Sequence, residues 1–264
     1  LRPAGKRRCG ISGREVRVMS FNIHHGVGID GALDLGRISA TLAGAAADVV
    51  GLQEVDRHFS SRSEFEDQTA RLAAALGMQW VFGANLDRDP AGESDRRRQY
   101  GNAILSRFPI ASWSSTPLPR FPGTEQRGLL AATLDVDGMP LSAFCTHLQN
   151  GRRSVRRVQV HEVVGAVESS DPPVVLMGDL NATPGSPEVR ELGRHLVDSW
   201  TTAGNGAGFT HSTRRPSRRI DYVFVSADLV VQSASVVHAD ASDHLPVLAT
   251  LDLPARAVTK RPLT

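Results

Sequence analysis

Short apolar, β-rich runs recur along the whole chain, and six of them are bounded by a compact polar group. The groups are Met19-Ser20-Phe21-Asn22, Gly51-Leu52-Gln53-Glu54, Cys145-Thr146-His147, Gly178-Asp179-Leu180-Asn181, Arg219-Ile220-Asp221-Tyr222 and Ser242-Asp243-His244-Leu245-Pro246. In an α/β protein strand ends converge on one edge of a sheet, where sites are built. Taken singly, each group has an ordinary explanation. Glu54 can cap or face water, Asp179 to Asn181 can form an Asx turn, Asp243-His244 can be a surface turn, and His147 can be a satisfied core histidine. Six such placements on separate strands make a shared site the better reading.

The runs themselves are Val16–Asn22, Asp48–Gln53, Gln79–Phe82, Asn102–Ser106, Leu129–Val136, Leu141–His147, Val174–Asp179, Ile220–Val225, Val230–Val237 and Val247–Leu251. Gly, Pro, Asp or Asn bound many of them. Helical spacing appears in Leu33–Ala46, through Leu35, Ile38, Leu42 and Ala45, and in Asp67–Leu76 and Arg153–Glu168. Pro187–Leu196 starts with Pro at a first helical position. Strands alternate with helices early and then run as neighbours. The expected architecture is α/β (α+β), with a mixed sheet or two sheets face to face and helices outside. No linker or repeat interrupts the chain, so one domain over 15–254 is expected, between flexible tails at 1–14 and 255–264.

Composition narrows the function. The net charge of +2 gives no global field for a polyanion, and aromatic residues make up only 5%. A nucleic-acid enzyme usually wants a basic stripe with stacking aromatics. Basic residues do cluster at 96–98, 152–157 and 214–219, which reads as solvated surface or as flanks of an anionic substrate. No apolar run reaches the roughly 20 residues that span a bilayer. Trp113 and Phe121-Pro122 are candidates for an apolar loop at a lipid interface, or for core and turn residues. Two cysteines, Cys9 and Cys145, make no disulfide framework, and Cys145 reads as a buried small hydrophobe. A first residue that is Leu rather than Met fits a processed secretory precursor, hence a secreted or extracytoplasmic protein, with the cytoplasm as the alternative.

The polar set is chemically coherent. Asn22, Glu54, Asp179, Asn181 and Asp243 offer carboxylate or amide oxygens, which suit Mg²⁺, Mn²⁺ or Ca²⁺. His147 and His244 can donate to phosphate oxygens or move protons.

With Tyr100-Gly101-Asn102-Ala103-Ile104-Leu105-Ser106-Arg107 added, the ordered series resembles the endonuclease/exonuclease/phosphatase superfamily, whose fold is that of pancreatic deoxyribonuclease. The resemblance runs from Val16 to about Leu253. It implies a four-layer sandwich of two packed mixed β-sheets flanked by helices, and a divalent-metal-dependent phosphoesterase using in-line water attack. It places Glu54 as principal metal ligand with Asn22 assisting, and Asp243 as a second-site ligand or a hydrogen-bond acceptor behind the ligands. Asp179 orients or deprotonates the water, Asn181 holds a phosphate oxygen, and His244 contacts phosphate or transfers a proton. Asp221 buttresses His244, and His147 stabilises the phosphate from the other side. Tyr100, Glu125 and Arg127 are expected near the substrate, with Glu125 alternatively supporting His147. His24 and His25 either line the mouth of the site or lie in a surface loop, which is slightly favoured. A monomer acting on a small or phospholipid-derived phosphodiester is expected, with a DNA or RNA nuclease as alternative. A binding module with a degenerate site is a third reading, disfavoured because unpaired polar clusters are costly.

Overall fold

The structure is a computed structural model that describes residues 13–91, 95–171 and 173–254. The tails expected at 1–14 and 255–264 therefore lie outside the described residues, save residues 13 and 14, and so does Cys9. Arg14, placed in a tail by the sequence reading, already begins the first strand.

Two six-stranded sheets form the centre. The first contains β1 (Arg14–Asn22), β2 (Val49–Arg57), β3 (Gln79–Arg88), β4 (Arg98–Ser106), β11 (Val230–Val236) and β12 (Val247–Leu253), in the order β11-β12-β1-β2-β4-β3. The second contains β5 (Ile110–Pro117), β6 (Gly128–Val136), β7 (Met139–His147), β8 (Val174–Asp179), β9 (Val197–Asp198) and β10 (Asp221–Val225), in the order β5-β6-β7-β8-β10-β9. Each sheet has one parallel pair, β1 with β2 and β7 with β8, and is otherwise antiparallel. Helices α1 (Leu35–Gly44) and α2 (Gln68–Leu76) pack on the outer face of the first sheet. Helices α3 (Arg153–Glu168) and α4 (Pro187–Leu192) pack on the second, while α5 (Ser199–Ala203) is a short turn beside β9 and β10. The four-layer sandwich expected from the sequence is the fold observed.

Period-two alternation explains the layers. Along β1, Val16 and Val18 join the core between the sheets, while Met19 and Phe21 join the core under α1 and α2. Ser20 and Asn22 continue the Val16–Val18 face, so Asn22 sits at the strand end between the two sheets. The same rule carries Ala143 and Cys145 on β7 to His147, Val175 and Met177 on β8 to Asp179, and Val223 on β10 back to Asp221. Register aligns them: His147 pairs with Asp179 across β7 and β8, and Asp221 pairs with Asp179 across β10 and β8. The polar cluster is thus one edge of the inter-sheet core with its apolar residues exchanged for chemistry.

Close approach of the sheets is set at Gly51. A Cβ there would lie 2.7 Å from Met177 Cβ and 3.2 Å from Cys145 Sγ. Cys145 is fully buried, and burial pushes its thiol up to about 12, so it behaves as the small hydrophobe expected.

Candidate active site

Glu54 lies in a β-bulge. The β2–β4 register shifts between Leu52 and Val55, and Glu54 has φ of 58°. Bulges re-aim side chains, and a non-glycine residue in the left-handed region costs free energy that the surroundings must offset. Nine non-glycine residues among those described have positive φ, and four of them are Glu54, His24, His25 and Asn181. Backbone strain therefore concentrates where the polar side chains converge.

Asn22, fully buried, ties the two sheets together. Its Nδ2 donates to Glu54 Oε1 at 3.0 Å and to Asp179 Oδ2 at 3.1 Å, and its Oδ1 accepts the His24 N–H at 3.0 Å. As placed, Asn22 presents its nitrogen to the pocket, which differs from the ligand role expected of it. Turning the amide would aim its oxygen at two carboxylates, which only a cation between them would favour. It would also set its NH₂ against the His24 N–H.

Two buried histidines take opposite charge states. His244 Nδ1 donates to Asp221 Oδ2 at 2.9 Å and lies 3.1 Å from Oδ1, while its Nε2 is 3.8 Å from Asp179 Oδ2. Burial opposes the charge on this ring, but Asp221 and then Asp179 outweigh it and raise its pKa to about 10. Asp221 is itself held by Thr210 Oγ1, which donates to Oδ2 at 2.6 Å. His147 is held well below its ordinary pKa by burial, by Arg127 and by His244. Arg127 must donate, so the 3.1 Å contact from its Nη1 fixes His147 Nδ1 as the acceptor. The ring proton is then on Nε2, 3.3 Å from Asp179 Oδ2. Asn181 Nδ2 lies 3.0 Å from the same Nε2 and 3.1 Å from the Leu148 carbonyl. Only the carbonyl can accept from it, so the Nε2 contact is an approach of two donors.

Burial raises the pKa of the Asp179 carboxyl, and Asp221 adds to the rise, while His244, the Asn181 N–H and Asn22 oppose it. Glu54, Asp179, Asp221 and Asp243 crowd this end of the molecule, where His244 is paired with Asp221, Arg127 with Glu125 and Arg62 with Asp56. A hard divalent cation fits that excess of negative charge and those oxygen donors. Two groups of close ligand atoms occur among the described residues: His211, Asp243 and His244, and Asp179, Asp221 and His244. Glu54 is in neither. Asp243, expected as a second-site ligand or an acceptor behind the ligands, lies with His211 and His244 and is 3.8 Å from His24 Nδ1.

Arg127, expected at the substrate, is buried under His147 and paired with Glu125 at 2.9 Å, so Glu125 supports His147 through it. Tyr100 is nearly buried, and its hydroxyl is raised well above the ordinary pKa by burial and by Glu54. His24 and His25 are half-buried beside Asp243 rather than on an open surface loop. Burial, Arg62 and His24 together lower His25 to about 4. Sequence reasoning passed over Thr210, His211 and the Arg62–Asp56 pair. The His211 ring lies 4.7 Å from that of His244, tilted at 54°, and Arg62 grips the buried Asp56 at 2.8 and 2.9 Å while lying against Tyr100. Thr210 and His211 sit in a polar stretch without periodicity, and only tertiary structure brings them here.

Known proteins share this fold. A crystal structure of an endonuclease/exonuclease/phosphatase from Beutenbergia cavernae is 31% identical, superposes with a TM-score of 0.79, and aligns over 94% of this chain and 74% of its own. The uncharacterized protein YbhP of Escherichia coli K12 is 25% identical over 260 residues, 90% of this chain and 96% of its own. A mannosyl-6-phosphatase of Bacteroides thetaiotaomicron shares the fold at 19% identity, with a TM-score of 0.74 over 89% of this chain and 99% of its own. The model of the Endonuclease/Exonuclease/phosphatase family matches residues 19–244, which takes in the cluster from Asn22 to His244. The chain belongs to the endonuclease/exonuclease/phosphatase family.

Proposed function

We propose that this protein is a divalent-metal-dependent phosphoesterase that hydrolyses a small phosphodiester by in-line attack of water. The family includes phosphatases, nucleases and phosphodiesterases, so phosphoester hydrolysis is the common chemistry. The observation that carries the reading is the convergence of donors beside Asp179. His147 Nε2–H and the His244 imidazolium both approach Asp179 Oδ2, and Asn181 Nδ2 meets His147 Nε2 donor to donor. An anionic oxygen placed there would turn that repulsion into hydrogen bonds, as charge-stabilising sites do.

The residues divide the work. His244, kept charged by Asp221, donates to a phosphoryl oxygen or to the leaving oxygen. His147, kept neutral and fixed in one tautomer by Arg127, donates a second hydrogen bond. Asn181 supplies a third. Asp179, whose pKa is raised, accepts the proton of the attacking water. Glu54 is the principal residue that would hold Mg²⁺, Mn²⁺ or Ca²⁺, assisted by Asn22 once its amide turns, with Asp243 at a second position. Such a cation would supply neutralisation of the charge that develops on the phosphoester oxygens.

A nuclease is the second reading. Few aromatics and a net charge of only +2 weigh against a dedicated polynucleotide surface. The test is turnover of bis(p-nitrophenyl) phosphate, plasmid DNA, sphingomyelin, glycerophosphodiesters and an inositol phosphate, with and without chelator. The reading expects chelator-sensitive turnover of a small phosphodiester. Plasmid nicking far faster than any small diester would favour the nuclease, and no turnover of any substrate would revive a degenerate binding module.

A further inference from the structure

Two of the arginine clusters seen in the sequence meet in space. A groove of about 350 Å³ opens beside Asn181 and is lined by Arg153 and Arg156 of α3, by Arg218 from the loop before β10, and by Thr183, Ser186 and Glu188. Glu188 is 1% exposed, and its carboxylate oxygens lie 3.4 Å from Arg156 Nε and 3.8 Å from Arg153 Nε. It anchors both guanidinium groups from below without hydrogen-bonding either, and its two oxygens have no hydrogen-bond donor. Three arginines against one glutamate leave the groove a formal charge of +2. Arg218 is exposed and has no carboxylate partner among the described residues.

Gathering three cations on one wall is unfavourable unless an anion shares the space. Guanidinium forks suit phosphate oxygens in particular. A solvated arginine face is the ordinary explanation for either cluster alone. It does not explain why residues about sixty positions apart converge on a groove whose inner edge is Asn181, a member of the catalytic cluster. The groove holds no aromatic side chain for stacking a base, and its size suits a compact ligand.

We propose that this groove is a second-anion subsite, and that the preferred substrate is a small molecule carrying a second phosphate-like group beside the scissile one. Arg153 and Arg218 grip that group, Arg156 adds to the field from beneath, and Thr183 and Ser186 offer hydroxyl donors. The assignment rests on the phosphoesterase reading of the neighbouring site, and its test is chosen to fail separately.

Calorimetry with Mg²⁺ present measures binding of α,ω-alkane bisphosphonates of increasing length and of alkyl monophosphonates of the same lengths. A bisphosphonate of suitable length is expected to bind at least ~5-fold more tightly than its monophosphonate, the gain of one added charge-assisted contact. The double variant Arg153→Gln, Arg218→Gln changes two exposed side chains and leaves the Arg156–Glu188 pair in place. It should abolish the gain and leave monophosphonate affinity unchanged. A smaller advantage at every length, or one that survives in the variant, overturns the subsite. A single-stranded tetrathymidylate that competes as strongly as the best bisphosphonate would also overturn it, in favour of a polynucleotide backbone. Bis(p-nitrophenyl) phosphate turnover by the same preparations judges the phosphoesterase reading independently, because binding alone decides the subsite.

Discussion

Replacing Asp221 by Asn should switch off His244 while leaving the pocket's shape intact. The amide oxygen can still accept the ring N–H, but the negative charge 2.9 Å from Nδ1 is gone. In the native site the pKa of His244 is raised from 6.5 to about 10. That rise corresponds to roughly 5 kcal/mol in favour of the charged form. Burial pulls the other way and Asp221 is the first of the groups that overcome it, ahead of Asp179 at 3.8 Å. Without Asp221, burial dominates and the ring returns to its ordinary value or below. At pH 8 the native ring is about 99% protonated, and one at its ordinary value is about 3% protonated. If the imidazolium donates to phosphate or to the leaving oxygen, turnover of bis(p-nitrophenyl) phosphate at pH 8 should fall by at least ~30-fold, the ratio of the two protonated fractions. The stability consequence has a definite sign. A folded-state pKa above the unfolded one gives stabilisation that is complete below about 6.5 and is lost as pH rises through about 10. Urea denaturation of the metal-free protein should show that loss in the native chain and not in D221N. Proton NMR of the ring reads the titration directly. The reasoning is refuted if His244 still titrates near 10 in D221N, or if turnover changes by less than ~3-fold.

Other consequences follow from single residues. Glu54→Gln should remove cation dependence, seen as loss of Mg²⁺ binding by calorimetry and at least a ~10²-fold drop in turnover with unchanged circular dichroism. Because Glu54 sits at φ of 58°, Glu54→Gly should be more stable than Glu54→Ala by about 1 kcal/mol, measured by urea denaturation. Gly51→Ala should destabilise by about 1–3 kcal/mol, since its Cβ would press on Met177 Cβ at 2.7 Å across the sheet interface. Arg127→Met should leave His147 Nδ1 without its donor, lowering turnover while a nitrogen-detected NMR experiment shows the two ring tautomers mixing.

Most of this architecture could be read from the chain, for a definable reason. Strands such as Val174–Asp179 are short, continuous apolar runs, buried on both faces, that end at a polar residue, so pattern and position agree. Ile110–Pro117 was missed because it is an edge strand whose residues almost all face solvent, which leaves no apolar alternation to detect. Trp113 is consequently an exposed strand residue rather than the tip of an apolar loop. Pro187–Leu192 is shorter than expected because Gly193 ends it. At the site, Asn22, Glu54, His147, Asp179, Asn181, Asp221 and His244 were all visible as strand-end polar residues, and the structure gathers them. Their orientation was not visible. The bulge that aims Glu54, the amide that turns its nitrogen to two carboxylates and the burial of Arg127 under His147 depend on contacts between residues far apart in sequence.

The central claim is that a hard cation is held at Glu54, between the ends of the two sheets. Crystals soaked in Mn²⁺ and measured at its absorption edge test it most directly. The account predicts an anomalous peak bonded to the Glu54 carboxylate, with the Asn22 amide turned to present its oxygen. A map with no peak at Glu54, or with a peak confined to His211, Asp243 and His244, would contradict it.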